Sequence, residues 1–277
     1  MSIATLNFES QYLNSNHEIS IILPNKPRGI NSKDFYENQK KYKVLWLLHG
    51  TYGDHTDWVR RTNIELYACE KDLIVVMPSG LNSNYSNWEN SMLGFNMYDY
   101  LTEELMPLVY NWFPASDKRE DNFIAGLSMG GRGTMKFAVN FPEKFAAAAV
   151  CSAAPVNIQN LTEEDLRKDD FFSRRMYGMV QNAGGLDKFK NSSENVWDIL
   201  DSHAGSGRLP RLLFACGTDD KMIYDNLLVF KQHAEQIGLK AEFWKLDGYG
   251  HEWRFWDLAI QYALEFFGLE NTGASPY

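Results

Sequence analysis

One serine stands among four glycines in the stretch FIAGLSMGGRG, Phe123 to Gly133. Gly126, Ser128 and Gly130 fit the spacing G-x-S-x-G. Glycine fills strands and helices poorly, so this density marks a backbone under an unusual demand. A serine at that spacing, after an apolar run and before a helical stretch, is set as a nucleophile on a sharp turn. Such a hydroxyl is weak at neutral pH and needs an adjacent base. Of the six histidines, His251 in LDGYGHEWRFW falls between the last predicted strand and the last predicted helix, and it is the candidate base. His233 lies in a helical run and reads as structural, His17 lies in an early strand, and His203 lies in a polar insertion. His55, in a loop, stays open as a pocket residue. The base needs an orienting carboxylate. LLFACGTDDKMIY closes a strand with Asp219 and Asp220. Asp220, three residues after Gly217, is preferred and Asp219 stays open; a helix N-cap is the structural role for whichever is not the acid. Ser128, His251 and Asp220 together would perform nucleophilic acyl transfer.

That chemistry also needs two backbone N–H groups aimed at a developing oxyanion. Met129, directly after the nucleophile, supplies one candidate. The loop after LWLLHG supplies the other, with Thr51 preferred; a strand-ending turn is the plain reading of His49-Gly50. The same glycines do not make a phosphate loop, since Gly131 is followed by Arg132 and Gly133, and G-x-G-x-x-G is not met. Two stretches could wall a substrate pocket. One is the aromatic, Asn-rich GLNSNYSNWENSMLGFNMY, in which Trp88 is favoured. The other is the insertion, with Phe171, Phe172, Met176 and Tyr177. The alternative for both is a satellite core under a long loop.

Bringing these side chains to one rim requires a strand that ends before each of them. IATLNFES and HEISIILP alternate as edge strands do. KVLWLLHG, DLIVVMPSG, NFIAGLS, FAAAAVCSA and RLLFACGTDD are near-continuous apolar runs, the pattern of strands buried on both faces, and KAEFWKLDG closes the series. Helical stretches fall between them: 63–70, YDYLTEELMPLVYNWF with a stripe at Leu101, Leu105, Leu108 and Trp112, then 131–140, 222–237 and 253–267. The alternation predicts an α/β protein with a mostly parallel central sheet and helices on both faces. We expect one domain over residues 1–277. A cap-like insertion lies between Pro155 and Pro210, with LTEEDLRKDDFFSRRMYGMVQ as its clear helix. The closing ENTGASPY reads as a loose tail.

The 277 residues can bury a large core. A net charge of -9 argues against a nucleic-acid partner, which needs clustered Lys and Arg. Aromatics at 14%, many of them in loops, point to an apolar pocket. Cys69, Cys151 and Cys216 have neither disulfide nor zinc spacing and read as buried free thiols. MSIATLNFES has no signal-peptide pattern, and no apolar window is long enough to span a membrane. A reducing cytoplasm fits these features.

LLHGTYGDHTDW, GLSMGGRGTMKFAVNFPEKFAAA, CGTDD and GHEWRFW together resemble the putative-esterase family of α/β-hydrolases. That family includes esterase D (S-formylglutathione hydrolase), tributyrin esterases and feruloyl or acetyl-xylan esterases. The likeness runs from about Lys43 to Phe267, with the insertion matched least. It implies the α/β-hydrolase fold, a triad of Ser128, Asp220 and His251 in that chain order, and an oxyanion hole of Thr51 and Met129. It implies a serine carboxylic-ester hydrolase for short-chain acyl, acetyl or feruloyl-type esters, with no cofactor and no metal. The partner would be a small-molecule ester; homo-oligomerisation is left open. S-formylglutathione hydrolases usually carry histidine after the double glycine, where this chain has Arg132. A thioesterase for S-formylglutathione, an acyltransferase, and a non-catalytic binding module on the same fold are the alternatives.

Overall fold

The structure is a computed structural model that describes residues 2–88 and 90–272. The last five residues of the predicted tail lie outside that set. Among the described residues the strands are β1 (Ser2–Ser10), β2 (Ser15–Leu23), β3 (Val44–Leu48), β4 (Ile74–Pro78), the short β5 (Asn87–Trp88) and β6 (Phe95–Asn96), β7 (Asn122–Leu127), β8 (Ala147–Cys151), β9 (Arg211–Gly217) and β10 (Ala241–Leu246). Eight of them form one sheet in the order β1-β2-β4-β3-β7-β8-β9-β10. The β1–β2 and β2–β4 pairings are antiparallel, and every pairing from β4 to β10 is parallel.

Strand periodicity explains why the central runs are apolar throughout. Successive side chains point to opposite faces, and both faces are covered. In β3, Val44, Trp46 and Leu48 enter one core layer, and Leu45 and Leu47 enter the other. Helices Met106–Trp112, Met129–Asn140 and Tyr224–Gln236 cover the first face. Helices Ile64–Glu70 and Trp253–Phe266 cover the second, the latter through Phe255, Trp256, Ala259, Ile260 and Ala263. The spacing of those five residues follows the helical period, which is why this helix was legible.

One predicted stripe runs out of register. Tyr100–Leu105 forms a π-helical turn before the helix Met106–Trp112. The extra residue in a wide turn rotates everything after it. Leu101 and Leu105 are buried as expected, but Met106 and Val109 then take the inner face and Trp112 is 65% exposed.

The insertion also differs from expectation. Its predicted long helix is two helices, Glu163–Leu166 and Phe171–Asn182. The polar run Arg167 to Asp170 separates them, and the Asp170 carboxylate caps the second by accepting from Ser173 N–H. Two unpredicted helices follow, Leu186–Lys190 and Val196–His203. Ile158, Leu166, Met176, Met179, Val180 and Phe189 form a small core of the insertion's own. Val196, Trp197 and Leu200 join the main core instead.

Candidate active site

Ser128 sits between β7 and the helix Met129–Asn140 with φ 52° and ψ −113°. A non-glycine residue there carries roughly 1–3 kcal/mol of backbone strain, held only because its surroundings over-determine it. Ser128 N–H donates to Cys151 O at 2.8 Å, tying the turn to β8. The flanking glycines are needed for close approach. A Cβ on Gly126 would lie 2.5 Å from Gly130 O, and one on Gly130 would lie 2.4 Å from Leu48 O. Strand, turn and neighbouring strand can therefore pack this tightly only without side chains.

His251 follows β10 and precedes the helix Trp253–Phe266. Its Nδ1–H donates to Asp220 Oδ2 at 2.8 Å. With the proton held there, Nε2 accepts from Ser128 Oγ–H at 3.0 Å. The imidazole also meets Trp256 edge-to-face, with centroids 5.1 Å apart. Asp220 is 1% exposed, and its other oxygen accepts from Met222 N–H at 3.1 Å. Asp219 is exposed and is not hydrogen-bonded to His251. The buried carboxylate fixes which ring nitrogen keeps its proton, so the free nitrogen faces the hydroxyl. This relay can deprotonate Ser128 and return the proton to a leaving group.

The Met129 N–H is the first donor of its helix, and Thr51 follows β3 by three residues. Among the described residues, neither N–H has a hydrogen-bond acceptor. Thr51 and Ser128 line one cavity together. His49 holds this loop. Its Nδ1–H donates to Gly50 O at 2.6 Å, and its Nε2 accepts from Gly80 N–H at 2.6 Å. Burial keeps the imidazole pKa below its usual value, which favours the neutral ring that this donor–acceptor pair requires.

Two lobes open beside Ser128. The larger, about 550 Å³, is lined by Met129, Arg132, Phe171, Phe172 and Arg175 among others. The smaller, about 250 Å³, is lined by Thr51, His251, Trp253 and Trp256. Phe171, Arg175 and Met222 border both.

Three expected pocket residues lie elsewhere. Met176 is 1% exposed inside the insertion's core. Tyr177 points outward and lines neither lobe. At about 100° per residue Arg175 lies about 40° from Phe171 on the helix, whereas Met176 and Tyr177 lie about 140° and 120° away from Phe171. Trp88 lines a separate cavity of about 170 Å³, where its ring packs on Phe95 and its Nε1–H donates to Ser83 O. His55 is also absent from the lobes; it is hydrogen-bonded to Ser20 at 2.7 Å. Sequence reasoning missed Arg132, Arg175, Met222, Trp253 and Trp256. Arg132 was discoverable, because four residues after Ser128 is one helical turn. Arg175 stands in the same relation to Phe171. No group of three or more His, Cys, Asp or Glu suited to a metal ion occurs among the described residues.

The family model described as "Putative esterase" matches residues 10–265. An acetyl esterase of Caldicellulosiruptor saccharolyticus is 29% identical over 271 residues, covering 96% of this chain and 98% of that protein. FphF, a fluorophosphonate-binding serine hydrolase of Staphylococcus aureus, superposes with a TM-score of 0.77 at 35% identity, covering 96% of this chain and 98% of that one. A structure described as S-formylglutathione hydrolase (FrmB) from Staphylococcus aureus gives the same TM-score, identity and coverage. The chain therefore belongs to the "Putative esterase" family and is a serine hydrolase of the α/β-hydrolase fold.

Proposed function

We propose that this enzyme is a carboxylesterase for short-chain acyl, acetyl or feruloyl-type esters, with Ser128 as nucleophile, His251 as general base and acid, and Asp220 as its orienting group. The observation that carries the reading is the continuous relay, 3.0 Å from Ser128 to His251 and 2.8 Å from His251 to Asp220, opening on a cavity. Ser128 attacks the ester carbonyl as His251 takes its proton. The N–H groups of Thr51 and Met129 stabilise the tetrahedral oxyanion. His251 protonates the departing alcohol, and water repeats the sequence on the acyl-enzyme. Every step uses side chains and backbone of this chain, so the mechanism calls for no cofactor and no metal.

The chain acts in this reading as one domain over residues 1–277, with 155–210 as a cap whose Phe171 and Phe172 border the cleft. The partner is a small ester. No described helix is long and apolar enough to cross a membrane. Three buried free cysteines favour a reducing, cytoplasmic setting.

S-formylglutathione hydrolysis is the second reading, favoured by the likeness to the Staphylococcus aureus protein so described. A panel of acetyl, butyryl and feruloyl esters with S-formylglutathione separates the two. The carboxylesterase reading expects an oxygen ester to give the highest kcat/KM, and Ser128→Ala to lower it about a thousandfold or more. Added acceptor alcohol that yields ester faster than free acid would make the protein an acyltransferase. Failure of a fluorophosphonate to label Ser128 would return it to a non-catalytic binding module.

A further inference from the structure

Arg132 lies one turn after the nucleophile. Its backbone N–H donates to Ser128 O at 3.0 Å, and its side chain lines the larger lobe. Among the described residues, no hydrogen bond or ion pair engages its guanidinium. Arg175 enters the same lobe from the helix Phe171–Asn182. It donates only to neutral acceptors, the Asn84 side-chain oxygen and the Thr51 hydroxyl. Lys136, one further turn along the nucleophile helix, is buried and paired with Glu194. Arg132 interacts electrostatically with Glu194, Lys136 and Arg175; it shares that carboxylate with Lys136, while Arg175 has no carboxylate partner among the described residues. Asp170 also stands on this wall, but it is exposed and its oxygens accept from Ser173 N–H and Oγ–H at 2.9 and 2.7 Å.

The chain as a whole is acidic, at -9, so this positive charge is local. Desolvation, and then the charge of Arg132, push Arg175 down to about 10. Both guanidinium groups remain charged at neutral pH, and unpaired charge in a desolvated lobe is costly. An anion seated there would accept charge-assisted, bidentate hydrogen bonds and remove the repulsion.

The other lobe identifies which end of the ester carries that anion. The leaving oxygen must reach His251, so the alcohol lies in the lobe that His251 lines. The acyl group then lies in the Arg132 lobe, whose Ala153, Ala154, Val156 and Ile223 offer apolar walls. Resting on the esterase reading above, we propose that the substrate class is half-esters of dicarboxylic acids. The reacting carbonyl lies at Ser128, a methylene spacer runs along the apolar wall, and the distal carboxylate is bound by Arg132 and Arg175. Hydrolysis adds the OH of water to the acyl carbon and its H to the alcohol oxygen. The distal carboxylate is unchanged, and the products are the dicarboxylate and the alcohol.

The test compares 4-nitrophenyl hydrogen adipate with 4-nitrophenyl hexanoate, which share a leaving group and a chain length and differ in a terminal carboxylate. The wild-type enzyme should favour the adipate about tenfold or more in kcat/KM. Arg132→Met should bring that ratio to about one, and Arg132→Lys should leave an intermediate ratio. A wild-type ratio at or below one overturns the proposal, as does a ratio that survives Arg132→Met. Should Arg132→Met not fold, inhibition of the wild type decides: adipate must inhibit more tightly than hexanoate, and equal inhibition overturns the proposal. An enzyme that cleaves neither ester has lost the esterase reading itself; one that cleaves hexanoate alone has lost only the carboxylate inference.

Discussion

His49 Nδ1–H donates to Gly50 O, and the same peptide unit carries the N–H of Thr51. A trans peptide points its C=O and N–H in opposite directions. Anchoring Gly50 O, which also accepts from Gly53 N–H at 3.2 Å, therefore sets the direction of the Thr51 N–H. With Thr51 N–H in its proposed oxyanion role, His49 acts through this peptide as a positioning residue. His49→Leu should lower kcat for 4-nitrophenyl acetate by about ten- to a hundredfold, short of the loss from deleting an oxyanion donor. KM should move less than about threefold, because the ground-state carbonyl gains less from that donor. A rise in KM with kcat preserved would rule the role out.

Gly130→Ala tests the packing of the nucleophile turn. The new Cβ would lie 2.4 Å from Leu48 O and 2.6 Å from His49 O, both backbone atoms at the end of β3. Backbone cannot swing aside as a flexible side chain can, so the variant should lose about 1–3 kcal/mol or more in urea unfolding. An unchanged midpoint would show that the turn accommodates a side chain at this position.

Lys136 ties the nucleophile helix to both pocket segments. Its ammonium donates to Asn84 O and Tyr85 O, each at 3.2 Å, and to Ser86 Oγ at 2.6 Å, besides its pair with Glu194. Lys136→Met removes the ion-pair partner of the partly buried Glu194, leaving it only the longer-range charge of Arg132, and should cost about 3 kcal/mol. Lys136→Met with Glu194→Leu should recover a large part of that loss. A double variant as unstable as the sum of the two single ones would mean the groups are not coupled.

His17 makes the fold sensitive to acid. It packs edge-on against Tyr100, and burial, with smaller contributions from His55 and His49 against Glu18, lowers its pKa from 6.5 to about 4. The folded state thus binds fewer protons than the unfolded one between those values. Stability contributed by the neutral ring is complete above pH 6.5 and falls as pH drops toward about 4. The difference is on the order of 3 kcal/mol. Urea unfolding of wild type and His17→Phe at pH 4.5 and 7.5 measures it: the variant should lose less stability on acidification, and parallel losses would count against His17.

The strands and the triad candidates were legible because their signals are local. β3, β7, β8 and β9 show as apolar runs since both faces of each are buried, and Ser128, Asp220 and His251 each follow a strand end. Spacing from Gly217 favoured Asp220 over Asp219, and the tertiary structure separates them, with Asp219 exposed and Asp220 buried against His251. The register of Tyr100–Trp112 was not legible, because a π-helical turn leaves no compositional mark. Helix Val196–His203 was within reach: Asn195 caps it by accepting from Asp198 N–H, and Val196, Trp197 and Leu200 keep helical spacing.

The amino-acid order alone determined the alternation of strand and helix, the glycine-flanked serine and the chain order of its partners, since periodicity and turn chemistry act over a few residues. Tertiary structure alone decided the pocket. Met176 and Arg175 are neighbours in sequence, yet one closes the insertion's core and the other reaches Thr51 at 2.8 Å. Arg132 and Arg175 face one lobe because two helices from separate parts of the chain, Met129–Asn140 and Phe171–Asn182, both border it. Which side chains converge there depends on the angle and rotation of packed elements, quantities set by contacts far apart in the chain.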